Sequence, residues 1–135
     1  MPAQNLAARF DPRLTQVPII FGTPRAPVLT LHGLGDMFVP FSMEEDYAAD
    51  VARNDRQGLV VQRAIRSAQH CEFSPSEVGN AWDALTHWVR DGVRPAGDDV
   101  AHPAAVAAPT FGCQFSDPAA YAVGTGTRRL FAACP

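Results

Sequence analysis

The stretch Pro27-Val28-Leu29-Thr30-Leu31-His32-Gly33-Leu34-Gly35-Asp36, with Val39-Pro40 just beyond, decides how this chain is read. Val28 to His32 is a short apolar run opened by proline and closed by glycine, the pattern of a buried strand. Asp36 stands in the loop that leaves it. A second run, Leu59-Val60-Val61-Gln62-Arg63-Ala64-Ile65, leads into a loop of its own, Ser67-Ala68-Gln69-His70-Cys71-Glu72-Phe73. An aspartate and a histidine therefore follow two strands in turn, and a helix is predicted after each loop.

The first helix is expected to start at Ser42. Ser42-Met43-Glu44-Glu45 reads as a capping box, and Glu44, Glu45 and Asp46 put negative charge where the helix dipole favours it. Met43, Tyr47, Ala48 and Val51 share one face, and Gly58 is expected to end the element. The second helix opens on another capping box, Ser74-Pro75-Ser76-Glu77, with proline at the first helical position, where its missing amide costs nothing. Val78, Ala81, Trp82, Leu85 and Val89 follow helical spacing with Trp88 beside them, which predicts a core face for both tryptophans. Gly92 and Pro95 stop it. The order strand, helix, strand, helix predicts an α/β class with parallel strands.

Outward from this centre, residues 1–26 read as an irregular leading segment with at most one edge strand at Val17-Pro18-Ile19-Ile20-Phe21, and residues 27–94 as the ordered body. Residues 95–135, rich in Pro, Gly and Ala, read as an extended tail with a short strand or turn near Phe111-Gly112-Cys113-Gln114-Phe115. Apolar content of 47% with 19% charged residues is that of a globular chain. With 11 basic against 14 acidic residues and no basic run, nucleic acid is not an expected partner. No stretch approaches the ~18–20 apolar residues of a spanning helix, so no membrane role is expected. No secretory signal is visible at Met1-Pro2-Ala3-Gln4-Asn5-Leu6. Three cysteines, Cys71, Cys113 and Cys134, allow three single pairings. A bridge between Cys113 and Cys134 would pin the tail, and three free thiols are the alternative.

Strand–helix–strand units pair their strands in parallel, so both loops emerge on one edge of the sheet, where open α/β folds bind ligands. Adjacent strands lie ~4.8 Å apart, close enough for side chains from neighbouring loops to meet. A carboxylate there would fix the imidazole tautomer and stabilise the imidazolium formed when the histidine takes a nucleophile's proton. Each residue also has an ordinary alternative: Asp36 as a turn aspartate after Gly-Leu-Gly, His70 as a loop histidine bonded locally.

The segment Pro27–Pro40, in the form P-V-L-x-x-H-G-x-x-D-x-x-V-P, resembles the acid-bearing loop of the α/β-hydrolase superfamily. Ala68-Gln69-His70-Cys71-x-Phe73 resembles its terminal histidine loop, and Val93-Arg94-Pro95-Ala96-Gly97-Asp98 resembles secreted esterase-like members. The resemblance covers roughly residues 20–95. It implies a partial α/β-hydrolase fold, Asp36 as triad acid, His70 as triad base, no cofactor, and a carboxylic ester as substrate for the completed site. It also makes an exported enzyme a candidate source. The family places its serine in G-x-S-x-G before the acid. Here Ser42, Ser67, Ser74, Ser76 and Ser116 are the only serines, and none stands in such a motif. The early loop of the oxyanion hole is missing as well.

Two readings of function follow. One is the carboxyl-terminal part of a serine hydrolase, inactive as this chain alone. The other is a non-catalytic truncated or remnant domain that binds a protein partner, or a second copy of itself, through an exposed strand edge. A metal site of His32, Asp36, His70 and Cys71 is the lesser alternative, because the tight ligand pairs usual for zinc are missing. Cys71 beside His70 is a candidate nucleophile only if adjacent loop residues point the same way. Gly124-Thr125-Gly126-Thr127 has the look of a phosphate loop, but no strand precedes it and no lysine follows.

Overall fold

Six consecutive buried residues, Val60–Ile65, form strand β2, and strand β1 (Val28–Gly33) lies parallel to it with Val28 opposite Val60 and Gly33 opposite Ile65. The computed structural model describes residues 20–122 and 126–135: a small mixed α/β protein with two parallel strands and four helices. The leading segment's proposed edge strand falls mostly outside the described residues, and Ile20 and Phe21 within them are not in a strand. Every residue of β2 is buried, whereas Val28 to His32 of β1 are half-buried. A chain reading VVQRAI reaches that depth only if something covers its second edge and satisfies its polar side chains.

Helix α1 (Ser42–Arg53) connects the two strands. It begins where expected, but the capping box at Ser42 does not form. Phe41 precedes the helix with φ −58° and ψ −25°, so Ser42 is already inside the first turn and makes no capping bond. Within this first turn Glu44 faces the sheet, where it accepts from Thr30 Oγ1 at 2.7 Å and Gln62 Nε2 at 2.5 Å. The helix stops at Arg53, and Gly58 lies beyond it in the 3-10 turn Gln57–Leu59. On this side of the sheet Ala64, Val100 and Phe111 form a core against which Leu34, Phe41, Ala48 and Val106 pack.

Helix α2 (Pro75–Asp91) has both predicted ends. Ser74 Oγ accepts from the Glu77 amide at 3.2 Å, Glu77 accepts from the Ser74 amide at 2.7 Å, and Gly92 turns left-handed at φ 73°. Its inward face is shifted from the predicted one. Glu77, Ala81 and Trp88 are buried, but Val78 and Val89 are exposed and Trp82 is 65% exposed. Glu77 tolerates burial because Arg128 meets it there.

The tail departs most from expectation. It is not a loose strap: it carries two short helices, α3 (Pro103–Val106) and α4 (Pro118–Ala122), and a 3-10 turn at Arg128–Leu130. A disulfide joins Cys113 to Cys134, and Cys71 is free and exposed. Arg94 and the tail supply the partners that the outer edge of β2, and Arg66 just beyond it, require. Arg94 Nη2 donates to Val60 O at 2.6 Å, and the Asp98 amide donates to Gln62 O at 2.8 Å. Asp98 Oδ2 accepts from the Ala64 amide at 2.8 Å, and Ser116 Oγ accepts from the Arg66 amide at 2.9 Å. Gly97 permits this approach, since a Cβ there would stand 2.8 Å from Gln62 O. The turn foreseen near Phe111–Phe115 is present. Arg66 fastens the tail further by donating to the carbonyls of Pro109, Phe111 and Ala132. Among the described residues, no helix is long and apolar enough to cross a membrane.

Candidate functional site

The strand ladder continues into both loops. The Leu34 amide donates to Ile65 O at 2.8 Å and the Gly35 amide to Ser67 O at 2.9 Å, so the loops after β1 and β2 leave side by side. The glycines matter because of this approach. A Cβ on Gly33 would lie 2.9 Å from Ser67 Oγ, and one on Gly35 would lie 3.1 Å from Ala68 Cβ. Larger residues would force the loops apart.

Asp36 and His70 come together at this junction, with Oδ2 2.8 Å from the His70 Nδ1. The other carboxylate oxygen accepts from the Phe38 amide at 2.8 Å and the Val39 amide at 3.0 Å. Asp36 is thus fixed by its own loop before it meets the imidazole. Its pKa is lowered to about 2, most of all by the Val39 amide, against partial desolvation and with the help of His70 and the Phe38 amide. The carboxylate is ionised at neutral pH, and an ionised carboxylate can only accept. Nδ1 of His70 therefore carries the shared proton, and in the neutral ring Nε2 is the free base. The Asp36 side chain is 4% exposed and that of His70 50% exposed, a shielded acid behind an accessible base. Phe38 stands edge-on to the imidazole at 6.1 Å. It and Met37 are about three-quarters exposed and give the site an apolar lip.

The serines do not complete this pair. Ser116 donates to Gly112 O, Ser76 donates to Asp117, and Ser74 caps α2. Ser67 is fully buried with its hydroxyl unpartnered, and Ser42 opens α1. Among the described residues none of them bonds to His70.

The residues of the metal alternative are not assembled. His32 turns its Nδ1 to the adjacent Gly33 O and packs edge-on against Phe41 at 5.6 Å. Among the described residues, no group of three His, Cys, Asp or Glu side chains is placed to hold a metal ion. Cys71 takes a left-handed backbone conformation, φ 54°, directly after the histidine. Of the phosphate-loop candidate, positions 124 and 125 lie outside the described residues. The Thr127 amide points at the carboxylate of Glu72, at 2.9 Å.

Sequence reasoning missed the link of Glu72 and Glu77 to Thr127 and Arg128. Arg128 forms an ion pair with Glu77 in which both side chains are at most 4% exposed, and it also donates to Glu72 O at 2.9 Å. Periodicity carries no trace of this link, because it joins a loop to a tail more than fifty residues away. A capping-box glutamate offers no advance sign that it will also hold an arginine.

The chain is 29% identical over 77 residues to a protein described as an o-phthalyl amidase from Xanthobacter agilis. The match takes in 57% of this chain and 17% of that protein, so the chain spans only a small part of the relative's length. No protein-family model matches the chain, and no solved structure matches it. The amidase likeness is compatible with a hydrolase.

Proposed function

We propose that this chain provides the acid and base of a serine-hydrolase acyl-transfer site of the α/β-hydrolase type, acting on carboxylic esters. Asp36 and His70 are two members of a catalytic triad whose nucleophile is none of the serines described here. The observation that carries the proposal is the 2.8 Å contact between a shielded, ionised Asp36 and the Nδ1 of a half-exposed His70. Nε2 of His70 takes the proton of a serine hydroxyl as the oxygen attacks the acyl carbon, then returns it to the leaving group. Asp36 holds the ring and stabilises the imidazolium; water, deprotonated by the same nitrogen, later releases the acid. An amide is cleaved by the same steps, so the name of the similar amidase fits the chemistry. Residues 27–94 act as part of a hydrolase domain and residues 95–135 as its closing tail.

The test is a graft in which this chain's matching stretch replaces its counterpart in the Xanthobacter agilis amidase. Hydrolysis of amide and aryl-ester substrates is expected, with His70→Ala lowering kcat by about a thousandfold or more. A folded graft that works equally well with His70→Ala would refute the assignment.

One observation favours a second reading, a non-catalytic domain that binds a partner. The outer edge of β1 pairs with no strand among the described residues, and Val78, Trp82 and Val89 form an exposed apolar stripe on α2. On this reading the grafted protein folds but is inactive, and the free chain self-associates or captures a partner in sedimentation experiments.

A further inference from the structure

We infer that Thr127, held in place by Arg128, is a positioning residue for His70: a clasp from the tail sets the conformation of the histidine loop and hence the orientation of the imidazole. The inference rests on the reading of Asp36 and His70 as a working pair, and it adds a regulator of that pair from outside both loops.

The contacts fall on both sides of His70. Before it, the amides of Ala68 and Gln69 both donate to Thr127 Oγ1, at 2.7 and 3.1 Å. After it, the Glu72 carboxylate accepts from the Thr127 amide at 2.9 Å and from the Thr127 hydroxyl. Arg128 Nη2 donates to Glu72 O at 2.9 Å. Two adjacent tail residues therefore hold positions 68, 69 and 72 and leave His70 and Cys71 to bridge the gap. The left-handed backbone at Cys71 is the geometry of that bridge; a non-glycine residue keeps it only where its surroundings impose it.

The clasp is anchored from beneath. Arg128 is buried against Glu77, whose carboxylate also receives the Ser74 and Asp117 amides, so the start of α2 fixes the clasp that fixes the loop. The Cys113–Cys134 disulfide encloses Thr127 and Arg128 in its loop and limits how far they can withdraw. A hydroxyl is needed at position 127 because one oxygen both accepts two amide protons and donates to a carboxylate. Valine has the same shape and can do neither.

His70 makes the clasp measurable without any substrate. In the disulfide-intact chain with 15N-labelled histidine, long-range 15N–1H correlations report which ring nitrogen of His70 carries the proton. The native chain is expected to show the Nδ1–H tautomer, and Asp36→Asn to lose that bias. Thr127→Val is expected to lower the tautomer ratio by roughly three- to tenfold, the scale of one neutral hydrogen bond, and Thr127→Ser to restore it. If Thr127→Val does not fold, Glu72→Gln, which weakens the same clasp from the other side, is expected to lower the ratio likewise. A Thr127→Val or Glu72→Gln protein with the native ratio, while Asp36→Asn loses it, overturns the clasp and leaves the pair standing. Insensitivity to Asp36→Asn as well overturns both.

Discussion

Glu77→Ala removes the acceptor of four hydrogen bonds: the Ser74 and Asp117 amides and both terminal nitrogens of Arg128. The capping loss alone is about 1 kcal/mol. The larger effect is that the Arg128 side chain, 4% exposed, is left buried without its counter-charge. Removing one partner of a buried ion pair typically costs about 3–5 kcal/mol, against a total stability of about 5–15 kcal/mol for a domain. In urea, the disulfide-intact protein should therefore unfold with its midpoint lowered by roughly 2 M. The companion variant Glu77→Leu/Arg128→Met replaces both charges with apolar groups, so no charge is stranded. It should recover most of the loss, because buried pairs are often no better than well-packed hydrophobic substitutes. A single-variant loss below about 1 kcal/mol, or a double variant no more stable than Glu77→Ala, would refute the reasoning.

Asp36 ionises at a pKa of about 2 in the folded chain against an ordinary 3.8, so its stabilisation is complete above pH 3.8 and is lost as pH falls toward 2. Acid titrations followed by circular dichroism should show the native chain losing ground to Asp36→Asn across that window; parallel curves would remove the pairing from the account. Gly97→Val places a side chain against Gln62 O and Val61 and should cost about 1–3 kcal/mol in urea unfolding, whereas Gly79→Ala on open α2 surface should not destabilise.

The body of the fold was legible because its signals are local. Pro27 and Gly33 bracket β1, and Ser74, Pro75 and Gly92 bracket α2 with chemistry confined to one or two turns. Ser42 misled because a capping box also needs a non-helical backbone at its first residue. Phe41 is already helical, so Ser42 falls inside the first turn, and the neighbouring Glu44 is held by Thr30 and Gln62, distant in sequence. The tail was misread because its partners are likewise distant in sequence. Its proline- and glycine-rich composition predicts little regular structure, and indeed its helices are short. Its order comes from β2's unmet edge groups, from Arg66 bound to carbonyls of residues 109 to 132, and from Arg128 bound to Glu72 and Glu77, links that periodicity cannot pair. Asp36 and His70 could be named because motif and topology placed both loops at one sheet edge. Thr127 could not, since its role exists only once the tail has folded back.

The most direct test of the central claim, that this chain holds acid and base while the nucleophile lies elsewhere, is the intact mass of the purified, folded chain after exposure to a fluorophosphonate. The account predicts an unchanged mass. A single adduct that maps to a residue of this chain and disappears in His70→Ala would contradict it by placing a working nucleophile beside His70.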